Sequence, residues 1–332
     1  MLAHCPKMRA DFGSEGDNIM QSPAAARTST MVETGSVIYQ AKFVDVNCIK
    51  TRYYDEGWGD VMLMIHGSRF SPWGSANTWT RNIDGLSKRF RVLAPDKLCA
   101  GMTDNPKSLD DFTQHAIVQH IYQFIQTLGV KSFHVVGQSN GGYTAARLAL
   151  EHPEMCKSLV IVDSATLGPS SGDMAERRHK LFANGPKDLR EYIRFHWGKL
   201  SVNTDNITDD YLDAAVFMAN TPKARETLRI LNTDGREDEG VNPEANARTF
   251  AGDKAETHQW IQEGRLTMPV LITWGANDPS AILPIGIKLF EMISTKTNKT
   301  EMHIFNNVAH FHYREIPQDW NQVVMNFIER NT

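Results

Sequence analysis

Three observations predict an α/β fold: a mostly parallel, eight-stranded sheet with helices on its faces and a helical insertion. Short apolar runs alternate with helix-like patterns through most of the 332 residues. One of these runs, residues 133–137, passes through Gly137-Gln138-Ser139-Asn140-Gly141-Gly142 straight into a helix-forming stretch. The alternation stops between Gly168 and Gly264, where helix formers, charges and aromatics replace strand signals.

Taken in order, residues 1–35 are polar and irregular, with Met1, Met8, Met20 and Met31 all placed as starts. No apolar run there suits a signal peptide, and Asp11, Glu15 and Asp17 argue against a transit peptide. A disordered or loosely docked tail is expected. Residues 37–46 and 48–54 read as two strands joined at Asn47, with Gly57 and Gly59 closing the pair. Val61, Met62, Leu63, Met64 and Ile65 form a continuous apolar run, the mark of a strand buried on both faces. Residues 76–89 read as helix and 91–96 as strand. Ile117, Ile121, Phe124, Ile125 and Leu128 recur at helical spacing within 110–128. The strand before Ser139 and the helix after it come next, the helix stopped by Pro153, and then a strand over 159–163. After the insertion, 270–275 is a strand, 284–293 a helix, 301–305 a strand and 317–329 a final helix. The expected division is a tail over 1–35, core over 36–167 and 265–332, and a helical cap or lid over 168–264.

Net charge is −4 with a pI of about 6.3, so nothing invites nucleic acid or an anionic membrane. The basic run Arg177-Arg178-His179-Lys180 has Glu176 beside it and reads as a solvated helix face. No stretch approaches the length of a membrane span. Cys5, Cys48, Cys99 and Cys156 are scattered without a C-x-x-C pair, so neither a disulfide framework nor a zinc site is indicated, and reduced thiols in a cytoplasm are expected.

The serine turn is where chemistry is expected. A strand that turns this tightly into a helix needs residues without side chains two before and two after the serine, and Gly137 and Gly141 meet that demand. A serine hydroxyl is a poor nucleophile at neutral pH and needs a base oriented by a third group. Asp278 follows the strand over 270–275, and His310 follows the strand over 301–305. Both fall at the sheet edge where open α/β folds bind ligands, so Asp278 is read as the orienting acid and His310 as the base. Asp163, which also ends a strand, is the substitute acid, and His312 competes with His310. His310 and His312 form H-x-H, which is too little ligand spacing to indicate a metal. The backbone N–H groups of Asn140 and Ser68 are the expected oxyanion donors, and His66 is expected to brace the Ser68 loop. His115, His120, His134 and His152 read as ordinary structural residues.

In this order, His66-Gly67, Gly137-x-Ser139-x-Gly141, Asp278 and His310 resemble the α/β-hydrolase fold enzymes over residues 37–330. Within that fold the chain is similar to the meta-cleavage-product hydrolases, which break carbon–carbon bonds in ring-opened aromatic catabolites. Arg81-Asn82-Ile83, Ser139-Asn140-Gly141-Gly142, Ile207-Thr208-Asp209-Asp210, Trp274-Gly275-x-x-Asp278 and His310 followed by Glu315 carry that likeness. The chain departs from the family's pattern at three places. The oxyanion loop reads Ser68-Arg69-Phe70-Ser71-Pro72-Trp73-Gly74 rather than glycine-rich, Ala215 stands where the family's cap carries a carboxylate-binding arginine, and Phe311 stands where a tryptophan commonly follows the histidine. A carboxylate buried without its cation costs several kcal/mol. Either Arg69, Arg225 or Arg229 replaces that arginine, or the substrate lacks the group.

The resemblance implies a hydrolase acting through Ser139, Asp278 and His310, with Arg69 and Phe311 toward the substrate and no organic cofactor or metal. The expected partner is a small apolar molecule, with no nucleic acid and no membrane; a homo-oligomer is left open. Trp73, Trp79, Phe182, Trp197, Phe217 and Met218 are candidate walls, though such residues in a cap more often simply pack. Two alternatives stay open: an esterase, lactonase or amidase on the same machinery, and a non-catalytic binding protein on the same scaffold.

Overall fold

The computed structural model describes residues 33–170, 172–231 and 243–331, so most of the expected tail lies outside the described residues. Thr34 and Gly35, at its end, are docked: their carbonyls accept from Arg52 Nε at 2.8 Å and Arg52 Nη2 at 3.0 Å.

The chain runs β1 (Lys42–Val46), β2 (Ile49–Glu56), β3 (Asp60–Ile65), α1 (Thr80–Leu86), β4 (Phe90–Pro95), α2 (Gln114–Thr127), β5 (Phe133–Gln138), α3 (Asn140–Glu151) and β6 (Cys156–Val162). It continues through α4 (Met174–Phe182), α5 (Leu189–Lys199), α6 (Asp209–Ala219), α7 (Pro222–Leu231) and α8 (Pro243–Gln262). It ends with β7 (Val270–Gly275), α9 (Leu283–Ser294), β8 (Thr300–Phe305), α10 (His312–Glu315) and α11 (Pro317–Asn331). The eight strands form one sheet in the order β1-β2-β4-β3-β5-β6-β7-β8. β1 and β2 pair antiparallel, as do β2 and β4, and every later pairing is parallel.

The apolar run of β3 shows why the sheet is central. Met62 and Met64 face the layer of Trp79, Trp320 and Phe327, while Leu63 and Ile65 face that of Ile121, Phe124 and Leu148. Successive side chains of a strand point to opposite faces, so an unbroken apolar run buries both. Because β5, β6, β7 and β8 run parallel, residues 139, 163, 278 and 310 all emerge at the carboxyl edge of the sheet.

Two long-range devices fix the loops at that edge. Arg52 and Asp96 form a fully buried ion pair at 3.0 Å, and Asp96 also accepts the N–H groups of Ala76 (2.7 Å) and Met102 (2.9 Å). Arg314, 1% exposed, donates to the carbonyls of Asn77, Thr78 and Asn206 and lies 3.9 Å from the Tyr211 ring centre, tying the helical segment to the core.

The described residues between β6 and β7 form helices and no strand. The helix α8, inside the segment expected as an insertion, packs on the core: Thr257 Oγ1 meets Tyr143 Oη at 3.0 Å, and Ile261 joins the layer with Leu159 and Val270. The parallel pairing of β6 with β7 requires a crossover over the sheet, and α8 ends that crossover. One cysteine departs from expectation. Cys48 is disulfide-bonded, whereas Cys99 and Cys156 are free and buried. Among the described residues no helix is long and apolar enough to cross a membrane.

Candidate active site

Ser139 sits between β5 and α3 at φ 53° and ψ −119°, a conformation that costs an L-residue about 1–3 kcal/mol and persists only where the surroundings enforce it. They do. A Cβ on Gly137 would lie 2.1 Å from the Gly141 carbonyl oxygen, and one on Gly141 would lie 2.3 Å from that of Ile65. The Ser139 N–H donates to Val162 O at 2.8 Å, and Ser164 Oγ donates to Ser139 O at 2.6 Å.

Asp278 and His310 are both buried, and His310 Nδ1 donates to Asp278 Oδ2 at 2.5 Å. The other carboxylate oxygen accepts from Ser280 N (2.8 Å), Ser280 Oγ (2.9 Å) and Ala281 N (2.8 Å), so the acid has one orientation. Burial opposes charging of His310, but the charge and hydrogen bond of Asp278, with the charge of Asp163, raise its pKa above the ordinary value. Glu315 holds the loop that carries His310: Oε1 accepts Ala309 N at 2.9 Å, and Oε2 accepts Val202 N and Asn203 N at 2.9 and 2.8 Å.

The competing pair lies beneath. His312 Nδ1 donates to Asp163 Oδ2 at 2.6 Å, and both residues are fully buried. Trp320 Nε1 donates to Thr273 Oγ1, whose own proton is then available to His312 Nε2, each at 3.1 Å; this network fixes a neutral tautomer. Burial lowers the His312 pKa to about 3. Burial and the neighbouring Asp278 push Asp163 well above the carboxylate range. His312 is therefore committed to Asp163 and Thr273, while His310 faces the cavity.

Ser139 and His310 line one cavity of about 350 Å³, together with Ser68, Asn140, Arg69 and Phe311. The Ser68 and Asn140 amides have no acceptor among the described residues, as donors kept for a substrate oxygen would require. Gly67 allows this approach, since a Cβ there would meet Gln138 Oε1 at 2.1 Å. Of the candidate walls, Trp73 and Trp197 line the cavity, whereas Trp79, Phe182, Phe217 and Met218 do not. Arg225 lines a separate cavity and Arg229 is paired to Glu226 at 2.6 Å, so of the three expected cations only Arg69 reaches the site. Ala215 is buried among packed side chains and is not one of the residues that line the cavity.

Two wall cations escaped the sequence reading. Arg178 belongs to the run read as a solvated face, yet it lines the cavity from α4. Lys254 reaches it from α8, one turn after Phe250, whose ring lies 5.6 Å from the Arg69 guanidinium carbon. Burial lowers the Lys254 pKa to about 8, and no carboxylate among the described residues pairs with it. The described wall holds no Asp or Glu. Only helical periodicity linked these residues to the site, and periodicity does not say which helix face meets a pocket.

A family model described as alpha/beta hydrolase fold matches residues 60–313. The chain belongs to the α/β-hydrolase fold family. Over 308 residues this hydrolase-fold chain is 27% identical to a 2-hydroxy-6-oxononadienedioate/2-hydroxy-6-oxononatrienedioate hydrolase from Pseudomonas sp., covering 91% of the chain and 100% of the relative. It is 24% identical over 318 residues to a 2-hydroxy-6-oxo-6-(2'-aminophenyl)hexa-2,4-dienoic acid hydrolase from Metapseudomonas resinovorans, covering 90% and 94%. Among solved structures, the meta-cleavage product hydrolase of Pseudomonas fluorescens superposes with a TM-score of 0.71 at 22% identity, covering 88% of this chain and 98% of that one. At that identity the superposition speaks for the hydrolase fold alone.

Proposed function

We propose that the chain is a serine-nucleophile hydrolase that cleaves a carbon–carbon bond in a small ring-cleavage dienoate carrying a vinylogous diketone. The observation that carries the reading is the composition of one cavity. Ser139, His310 and the Ser68 and Asn140 amides meet there with Arg69, Arg178 and Lys254 and no described acidic side chain. Full-length likeness to hydrolases of dienoates and dienedioates supports the substrate class. The carboxylate that the family's cap arginine would hold is assigned instead to this basic wall, with Lys254 the cation that has no acidic partner among the described residues. Helices α4 to α6 act as the cap, since Met174, Arg178, His196, Trp197 and Tyr211 close the cavity from their side.

In this mechanism His310 takes the dienol proton and returns it to carbon, giving the ketone. Ser139, or a water it orients, gives its proton to His310 and adds to the remote carbonyl while the two amides hold the resulting oxyanion. The C–C bond then breaks, and its electron pair leaves on the fragment as a carbanion stabilised by the adjacent carbonyl and protonated by His310. Where Ser139 itself is the nucleophile, water then hydrolyses the acyl-enzyme and frees the carboxylic acid. Losing one oxyanion donor typically costs about 2.7–4 kcal/mol of barrier lowering. Asp278 keeps His310 in the tautomer whose Nε2 is the working nitrogen. The second reading, an esterase or lactonase with an acyl-enzyme on Ser139, is favoured by Ala215, because an ester substrate needs no cap arginine.

A parallel assay separates the two. Wild type and Ser139→Ala are compared in kcat/KM on a coloured ring-cleavage dienoate and on a p-nitrophenyl ester of similar size. Preference for the dienoate, lost in the variant, is expected. Preference for the ester moves the assignment to the second reading, and full activity in Ser139→Ala on both would sink the serine mechanism.

A further inference from the structure

We propose that Lys97 is a positioning residue for the oxyanion hole, holding the Ser68 and Asn140 amides in register from one point behind both. The residue follows β4, and its side chain is fully buried away from the cavity. Its Nζ donates to the Ser68 carbonyl and, at 2.7 Å, to Asn140 Oδ1. Its backbone N–H donates to His66 Nε2 at 3.0 Å. That bond leaves Nδ1 to carry the imidazole proton, which His66 donates to Gly67 O at 2.7 Å.

These bonds converge on two peptide planes. The Gly67 carbonyl and the Ser68 N–H belong to one planar peptide unit, and the Ser68 carbonyl belongs to the next. Ser68 sits between them at φ 54°, a left-handed conformation that a serine keeps only when held. Lys97 holds the first plane through His66 and the second directly. On the far side the Asn140 carboxamide is caught between Lys97 and Gln114, whose Oε1 accepts from Asn140 Nδ2 at 2.8 Å. The Asn140 amide opens α3, so its helix start is tied to the Ser68 loop by a single side chain.

Burial, reinforced by Arg69, pushes the Lys97 pKa well below that of an exposed lysine. A neutral amine still has two N–H donors for its two acceptors, so the link survives in either protonation state. An amine is costly to bury. Here it joins the two loops that supply the hole, and Lys97 touches no substrate position itself. The role rests on Ser139 acting as nucleophile.

The test uses the full chain and a trifluoromethyl ketone analogue of the preferred substrate, which adds to Ser139 and places its oxyanion in the hole. Ketone affinity, affinity for the carboxylic acid product, kcat and KM are measured for wild type, Lys97→Met and Lys97→Gln, with folded fractions from urea titration. In Lys97→Met, kcat and ketone affinity are expected to fall together by about 10²-fold. KM and product affinity should stay within about threefold, and Lys97→Gln, which keeps an N–H donor, should recover part of the loss. Equal loss of ketone and product affinity, no loss at all, or a kcat loss matched by the unfolded fraction would overturn the proposal. If the methionine variant does not fold, Lys97→Gln and Asn140→Ala decide. Losses smaller than additive in the double variant support the link, and additive losses reject it. Ser139→Ala should abolish tight ketone binding; if it does not, the nucleophile assignment fails rather than the role of Lys97.

Discussion

A carboxylate oxygen of Asp163 lies within 4.8 Å of one from Asp278, yet each acid bonds a different histidine, two residues apart in the chain. The strands β6 and β7 are neighbours, so the residues that follow them arrive side by side. His310 therefore feels two acids, one bonded to it and one behind, with Arg178 opposing them.

This arrangement sets a pH dependence. His310 must be neutral to accept a proton, and its pKa is raised, so kcat/KM should fall with acid along a limb whose midpoint lies above about 6.5. The effect on stability has the opposite sign: a raised histidine pKa stabilises the fold below its unfolded value, and that contribution is lost as pH rises through the folded value. Asp278→Asn should lower the midpoint and cut kcat by about 10³–10⁴-fold. Asp163→Asn should lower the midpoint less. A pH–rate profile of the three proteins checks this, and an unmoved limb in Asp278→Asn would contradict the pairing.

Lys254 should act on binding rather than chemistry. Its pKa of about 8 keeps it charged below that pH and neutral above it. KM for a carboxylate substrate should therefore rise above pH 8 in the wild type. In Lys254→Met, KM should be high at every pH, by about tenfold or roughly 1.4 kcal/mol, with kcat little changed. An uncharged ester should show neither effect.

Glu315 joins the His310 loop to residues 202 and 203 through three backbone N–H groups. Glu315→Ala removes the two oxygens that accept all three N–H groups, partly at the surface, and should lower stability by about 1–3 kcal/mol. Because the loop carries the base, kcat should fall more than folding alone explains. Urea denaturation beside steady-state kinetics separates the two losses.

The buried Arg52–Asp96 pair should be far less tolerant. Arg52→Met strands the Asp96 carboxylate and removes one donor from each of the Thr34 and Gly35 carbonyls, the latter keeping Asn77 Nδ2, with an expected cost of about 3–5 kcal/mol. Adding Asp96→Asn should restore part of this, read as a shift in the urea midpoint.

The features legible in the chain before it folds are local or periodic. The Ser139 turn was legible because its backbone is set by glycines two residues away on either side, and β3 because an unbroken apolar run must be buried on both faces. Chain order also placed Asp278 and His310 after strands, hence at one sheet edge. Which acid holds which histidine is set by folding, since Asp163 and Asp278 look alike until β6 and β7 lie side by side. Folding also decides burial. A lysine after a strand reads as solvated, and nothing near Lys97 in sequence reveals that Ser68 and Asn140, 29 and 43 residues away, close over it. Arg178 and Lys254 escaped for the same reason, because a charge on a helix is a surface residue until another element supplies the wall opposite it. Local propensity acts through neighbours along the chain, whereas solvation, pairing and pKa depend on neighbours in space.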